Sequence, residues 1–303
     1  MRPRAEAAAL RGRLLTVRHL TIYRYGSPVG LGEHRMMFRP RASHDVRLVS
    51  SRLEIRPQPS ELRWLHDVFD NSVAIATFTG RTRELRFDST TTLEHFEGVR
   101  PKYVLEAGAE QFPFEYADDE RPYLAAARTR LYPDECIREW AGRFVPASGS
   151  IHTRTLLDDM ARGIKEQFAY LRRTEKGVQT PAETLERGSG SCRDFALLMM
   201  EAVRALGLAA RFVSGYIFVP ESRPVETVGG GSTHAWMQVY LPGAGWVDFD
   251  PTNSIIGNRN LIRVAVAWDP KHALPLWGSF IGSARSFVGM DVTVSVTEEA
   301  VVA

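Results

Sequence analysis

The sequence predicts an α+β protein, with an antiparallel β domain over residues 1–110 and a domain of mixed helices and strands over 111–303. Three observations carry this. Before about residue 100, short runs rich in Val, Ile, Thr, Leu and aromatics recur, several of them alternating apolar with polar. After it, apolar residues return every third or fourth position, the spacing of a helix face. Beyond residue 209 the chain goes back to strand-like runs.

The early strands fall at 16–25, 46–55, 73–78 and 84–94, with clear alternation at Leu53-Glu54-Ile55. Gly26-Ser27-Pro28, Pro57-Gln58-Pro59-Ser60 and Asp70-Asn71 are turn signals between them. Strands at this spacing, without helical patterns between, read as a sandwich or barrel. A junction is expected within 100–118, then helices over 122–132, 134–144 and 153–171. In the last of these, Leu156, Met160, Ile164, Phe168 and Leu171 share one face. A further helix is expected over 191–206, opening after Gly188-Ser189-Gly190 and closing at Gly207. Strands follow at 209–219, 234–241, 245–249, 261–267 and 291–297, the last alternating Val292, Val294 and Val296.

A 303-residue chain with 44% hydrophobic and 24% charged residues can bury a large core, so disorder is not the expectation. The net charge of +2 gives no nucleic-acid footprint; 34 of the 38 cationic residues are arginine, scattered among acids. Residues 1–18 hold five arginines but no continuous apolar core, so no signal peptide is read there. The most apolar window, 195–220, is interrupted by Glu201, Arg204 and Arg211 and is not expected to span or bind a membrane. The only cysteines, Cys136 and Cys192, make neither a disulfide scaffold nor a clustered metal site. A free thiol suits a reducing compartment, and the expected location is the cytoplasm.

Cys192 stands where a helix begins, straight after a Gly-Ser-Gly-Ser turn. Helix N-termini present unpaired N–H groups and a partial positive charge, which favour a thiolate and can bind the oxyanion formed when it attacks a carbonyl. Cys136, mid-helix beside Glu135 and Arg138, has none of these features and reads as filler. A thiolate needs a base, and the base an orienting group. His234 opens a strand after Gly229-Gly230-Gly231-Ser232, unlike His19, His44, His66 and His152, whose surroundings are ordinary. Trp236 shares its strand face, as a wall of the site or as core. On the next strand Asp248 and Asp250 share one face, so parity does not choose between them.

Gly190-Ser191-Cys192-Arg193-Asp194-Phe195-Ala196, Arg204-Ala205-Leu206-Gly207-Leu208-Ala209-Ala210-Arg211, Gly215-Tyr216, His234-Ala235-Trp236, Gly245-Trp246 and Phe249-Asp250-Pro251-Thr252-Asn253 together resemble the bacterial transglutaminase-like family. The resemblance implies a papain-like core in which the nucleophile heads a helix packed on an antiparallel sheet. It also selects the Asp before Pro-Thr, completing a catalytic set of Cys192, His234 and Asp250. Pro40-Arg41 and Asp67-Val68-Phe69-Asp70-Asn71 are similar to landmarks of the β domain that precedes this core in bacterial members, where Gly is commoner than Asp70. Ala267-Trp268-Asp269-Pro270 departs from the family in lacking a basic residue before the Asp and an aromatic after it.

The expected activity is thiol-dependent acyl transfer on amide bonds of a peptide or protein substrate, leaning to hydrolysis as a protease or amidase. Amine transfer, as in a cross-linking transglutaminase, uses the same triad, and a non-catalytic scaffold with the same fold is the remaining alternative. Animal members depend on calcium; this chain shows no Asp/Asn-rich ligand loop, and neither metal nor cofactor is expected. The β domain collects no nucleophile with a base and is expected to position substrate or partners.

Overall fold

A computed structural model describes residues 12–96, 103–172, 177–220 and 227–299. Residues 1–11, most of the stretch read above as lacking a leader, and residues 100–102 at the start of the expected junction lie outside the described residues. The protein is α+β, as expected. Its first sheet contains β1 (Gly12–Met36), β2 (Val46–Arg56), β3 (Glu61–His66), β4 (Ser72–Thr77) and β5 (Arg81–Phe96), in the antiparallel order β2-β5-β1-β4-β3.

β1 continues through Gly26-Ser27-Pro28, where a turn is expected. The register with β5 breaks between Arg24 and Val29, so the segment is an irregularity within a strand. Pro28 has no N–H to give a ladder, and the exposed carbonyls of Gly26 and Pro28 instead accept from Arg83 and Arg81. In β5 the period-2 pattern is strict: Leu85, Phe87, Ser89, Thr91, Leu93 and His95 are all buried.

The core follows. Two-residue pairings join β6 (Gln111–Phe112) to β7 (Ile151–His152) and β8 (Ala169–Tyr170) to β9 (Ser189–Gly190). The helices are α1 (Arg121–Arg128), α2 (Glu135–Gly142), α3 (Thr153–Gln167), α4 (Pro181–Arg187) and α5 (Cys192–Ala205). α3 stops before the expected Leu171 because Phe168 turns extended and Ala169–Tyr170 pair with β9, leaving Leu171 exposed. α4 was not expected, although Thr180-Pro181-Ala182-Glu183 carries both a capping box and an N1 proline.

The second sheet is β13-β12-β11-β10-β14, all antiparallel, from β10 (Ala210–Ile217), β11 (His234–Leu241), β12 (Gly245–Asp250), β13 (Ile255–Ile256) and β14 (Leu261–Ala267). α5 lies on it with nearly every residue buried, its Phe195, Leu198 and Met199 joining Met237, Val239 and Phe249 in one cluster. Two buried charges on α5 are fully matched. Arg204 donates to Glu201 at 2.8 Å and to the carbonyls of Ala127, Ala210 and Trp268, while Glu201 accepts from the N–H groups of Leu131 and Tyr132. A helix this deeply buried tolerates charge only when every polar atom is partnered.

The chain then returns to the first sheet: β15 (Leu276–Ile281) and β16 (Phe287–Glu298) both pair with β1. The stretch after Pro275, placed in the 111–303 unit by sequence, therefore packs with the 1–110 unit. β1 is long enough to need partners on both edges. Leu15, Val17, Leu93 and Val294 of this sheet pack on Tyr216, Ile262 and Val264 of the second. The Asn71 side chain pairs with β14 as a strand would, donating to Val266 O at 2.8 Å and accepting Val266 N–H at 2.9 Å. Asp70, beside it, has φ of +61°, a conformation that suits Gly and that Asp tolerates, which accounts for the family's usual glycine there. Among the described residues no helix is long and apolar enough to cross a membrane.

Candidate active site

Cys192 is placed by a chain of local constraints. Gly188, in the left-handed conformation at φ +58°, ends α4, and Ser189-Gly190 then runs parallel to Ala169-Tyr170. Asp194 closes the start of α5 by accepting the Ser191 N–H and hydroxyl at 2.8 Å each and the Gln179 N–H at 2.6 Å. Gly190 is required by the packing, since a Cβ there would lie 2.9 Å from Asp194 Cβ. Cys192 itself is 7% exposed at the first helical position, where its N–H has no acceptor within the helix.

His234 begins β11 and Asp250 ends β12, which places both at one end of adjacent strands. His234 Nε2 lies 2.8 Å from Asp250 Oδ2, with the two residues 1% and 0% exposed. The other ring nitrogen, Nδ1, has no nitrogen or oxygen partner. The Cys192 sulfur is near enough to act on the charge of the ring. Burial works against the imidazolium, but the Asp250 carboxylate and the Cys192 sulfur outweigh it and push His234 up to about 10. The structure thus brings together all three residues singled out in the sequence.

Two aspartates on one strand face have opposite fates. Asp248 Oδ1 accepts from Trp236 Nε1 at 2.7 Å and Gln238 Nε2 at 2.8 Å, and its Oδ2 pairs with Arg263 at 3.0 Å. Arg263 also holds Asp45, in the turn that leads into β2, at 2.7 Å, so Asp248 is committed to the seam between the sheets. Asp250 instead takes His234, the Thr252 N–H at 2.9 Å and Asn253 Nδ2 at 2.8 Å. Trp236 serves both purposes considered for it: fully buried in a cluster with Val213 and Leu261, it also stacks on His234 with ring planes 27° apart.

The sequence reading missed three neighbours. Tyr170 is pushed up to about 12 by burial and then by the nearby charge of Cys192, so its phenol stays a neutral O–H donor. Asn253 bonds Asp250, and Gly229 packs on the imidazole. Gly229 and Asn253 stood inside quoted motifs; Tyr170 carried no signal beyond its place after the helix. A cleft of about 670 Å³ lined by Arg35, Leu65, Phe69, Lys271, His272 and Trp277 lies at the seam and includes none of the three. The departing segment Trp268-Asp269-Pro270 lies toward that seam, with Trp268 against Phe69 and Trp246. Among the described residues no group of three or more His, Cys, Asp or Glu is arranged to hold a metal.

Residues 15–94 match the bacterial transglutaminase-like N-terminal region, and residues 150–251, which contain Cys192, His234 and Asp250, match the transglutaminase-like superfamily. An uncharacterised protein of Mycobacterium tuberculosis is 31% identical over 296 residues, covering 92% of this chain and 91% of that one. The chain belongs to the bacterial transglutaminase-like family. A protein-glutamine gamma-glutamyltransferase of Pseudomonas aeruginosa is 29% identical over 143 residues, 40% of this chain and 21% of that protein. The fold is shared with a solved structure from Cytophaga hutchinsonii designated a candidate cysteine protease, with a TM-score of 0.66, 16% identity and coverage of 96% and 92%. The papain-like, transglutaminase-like core expected from the motifs is therefore the fold of this family member.

Proposed function

We propose that the protein is a thiol-dependent acyl-transfer enzyme acting on amide bonds of a peptide or protein. Cys192 is its nucleophile, His234 its acid and base, and Asp250 the orienting acid. One observation carries the reading: the imidazole is anchored to Asp250 through Nε2 at 2.8 Å while Nδ1, with no nitrogen or oxygen partner, is left for the thiol. Most buried polar atoms are hydrogen-bonded, so a ring nitrogen without a nitrogen or oxygen partner beside a thiol calls for a role.

In the reaction the Cys192 thiolate adds to the amide carbonyl, forming a C–S bond and moving the π electrons onto oxygen. The N–H groups at the start of α5 face the developing charge, and their orientation is set by the helix before substrate arrives. Collapse breaks the C–N bond, His234 gives its proton to the departing amine, and a thioester remains on Cys192. An acceptor then attacks the thioester while His234 takes its proton, and the C–S bond breaks to restore thiolate and imidazolium. Water as acceptor yields a carboxylic acid; an amine yields a new amide.

We favour hydrolysis, since water needs no binding site of its own. Amine transfer is the second reading, supported by the name of the Pseudomonas aeruginosa relative. The two are separated by incubating a glutamine-peptide library with the protein, with and without a labelled primary amine. Hydrolysis predicts glutamate or cleaved-peptide products and no label; label incorporation that disappears in Cys192→Ala establishes transfer. Absence of glutamate, cleaved peptide and label at every pH from 6 to 9 defeats the enzyme reading and leaves a scaffold. The first sheet, joined to the core through Asp45, Arg263 and Asp248, is proposed as the module that positions substrate. Two unpaired thiols support a proposed cytoplasmic location.

A further inference from the structure

Asn253 follows the triad acid by three residues and is nearly fully buried. Its Nδ2 donates to Asp250 Oδ2 at 2.8 Å and to Val228 O at 3.0 Å, and its Oδ1 accepts the Val228 N–H at 2.8 Å. These three bonds force the orientation of the amide. Turned over, it would set Nδ2 against the Val228 N–H and Oδ1 against the Asp250 carboxylate. One planar group therefore ties the acid to a single residue of the glycine loop.

The next residue in that loop lies on the imidazole. Gly229 has φ of +105°, and a Cβ built on it would sit 2.5 Å from His234 Nδ1. Two residues further on, Gly231 O accepts the Val294 N–H of β16 at 3.2 Å. The loop is thus pinned at Val228 by Asn253 and at Gly231 by the C-terminal strand, with the Gly229 backbone across the ring between the two pins.

From this geometry we propose that Asn253 is a positioning residue, one that fixes the Val228-Gly229 backbone as a roof on His234 in register with Asp250. The proposal rests on the acyl-transfer reading of the triad but not on which acceptor is used. Its effect has two parts. The Nδ2 bond shares Asp250 Oδ2 with His234 Nε2 and so fixes the direction that oxygen faces. The Val228 clamp holds backbone against the Nδ1 edge, leaving the ring no room to turn over and exchange its two nitrogens. A misplacement of about 1 Å in such a group can cost on the order of a hundredfold in rate.

The test uses the full chain with Asn253→Ala and Asn253→Asp. The aspartate keeps an acceptor for the Val228 N–H at nearly the same volume but has no hydrogen for Asp250 or for Val228 O. Uniform ¹⁵N-histidine labelling reads the His234 Nε2–H resonance and its exchange with water; iodoacetamide labelling of Cys192 at pH 7 reads the nucleophile; near-UV circular dichroism confirms that each variant is folded. The expected result is a water-protected resonance in the parent protein, with exchange at least tenfold faster and labelling at least tenfold slower in both variants. A folded variant that keeps the protected resonance and labels within twofold of the parent overturns the proposal. Should Asn253→Ala fail to fold, Asn253→Asp alone decides by the same criteria. A parent protein with the protected resonance but no turnover of any amide sinks the enzyme reading and leaves the positioning result standing.

Discussion

Replacing Asp250 with asparagine tests the site most sharply, because the change keeps the shape and removes the charge that holds His234 at about 10. Burial then acts against the imidazolium with only the Cys192 sulfur left in its favour, so the ring falls from about 10. An imidazole that fell all the way to the ordinary value of about 6.5 would be protonated only to about 3% at pH 8, so the supply of imidazolium drops by up to about thirtyfold. The surroundings add a second loss. Asp250 Oδ1 accepts the Thr252 N–H at 2.9 Å, so the amide oxygen of Asp250→Asn takes that place. Its NH₂ is then turned to His234 Nε2 and Asn253 Nδ2, both of which donate in the parent protein. The ring must present a bare Nε2 and carry its proton on Nδ1, the wrong tautomer for taking a proton there. The equivalent substitution in a serine-protease triad costs about 10,000-fold in turnover. Turnover of a glutamine peptide at pH 8 should therefore fall at least about tenfold, and by up to about 10,000-fold, in Asp250→Asn, with thermal unfolding monitored alongside. A folded variant that turns over within threefold of the parent would refute the assignment of Asp250.

Other expectations concern neighbouring features. Because His234 is raised from 6.5 to about 10, the ion pair contributes stability that is complete below about 6.5 and is lost as the pH rises through about 10. Amide turnover, which uses the imidazolium proton, should fall over that same alkaline limb, while iodoacetamide labelling, which needs no proton donor, should not. Gly229→Ala should lower turnover at least tenfold, because its methyl group would press on Nδ1; rate measurements on the folded variant check this. Arg204→Ala leaves Glu201 in the core without a counter-charge and should cost about 3–5 kcal/mol in urea unfolding. Asn71→Ala strips the β14 backbone at Val266 of two partners and should destabilise by about 2–4 kcal/mol, read the same way.

Much of the fold was legible in the chain because its strongest signals are local. The helix from Cys192 to Ala205 follows a glycine-rich turn and carries Asp194 at the capping position, so residues a few places apart define it. The strands at 234–241 and 261–267 are dense in buried apolar residues and needed no partner to be recognised. β3 and β15 escaped notice: Glu61–His66 and Leu276–Ile281 are largely exposed, and such strands exist because β4 and β1 offer backbone partners. α4 was within reach, since Thr180 and Glu183 announce it. Gly26-Ser27-Pro28 misled for the opposite reason, as the residues of a turn can also make a break in the register of a long strand.

For the site, the sequence by itself singled out the candidate nucleophile, the candidate base and the order in which they arrive, because a helix start and a glycine-flanked strand start are written in neighbouring residues. It did not determine, from the residues alone, which of two aspartates serves the histidine. Side-chain parity is a property of one strand, and Asp248 and Asp250 have the same parity. Only the tertiary structure separates them, by surrounding Asp248 with Trp236, Gln238 and Arg263 and leaving Asp250 to His234 and Asn253. The roof of Gly229, the reach of Asn253 and the return of the last strands to β1 belong to the same class of fact. Each depends on where distant segments meet, and that is decided when the two sheets pack.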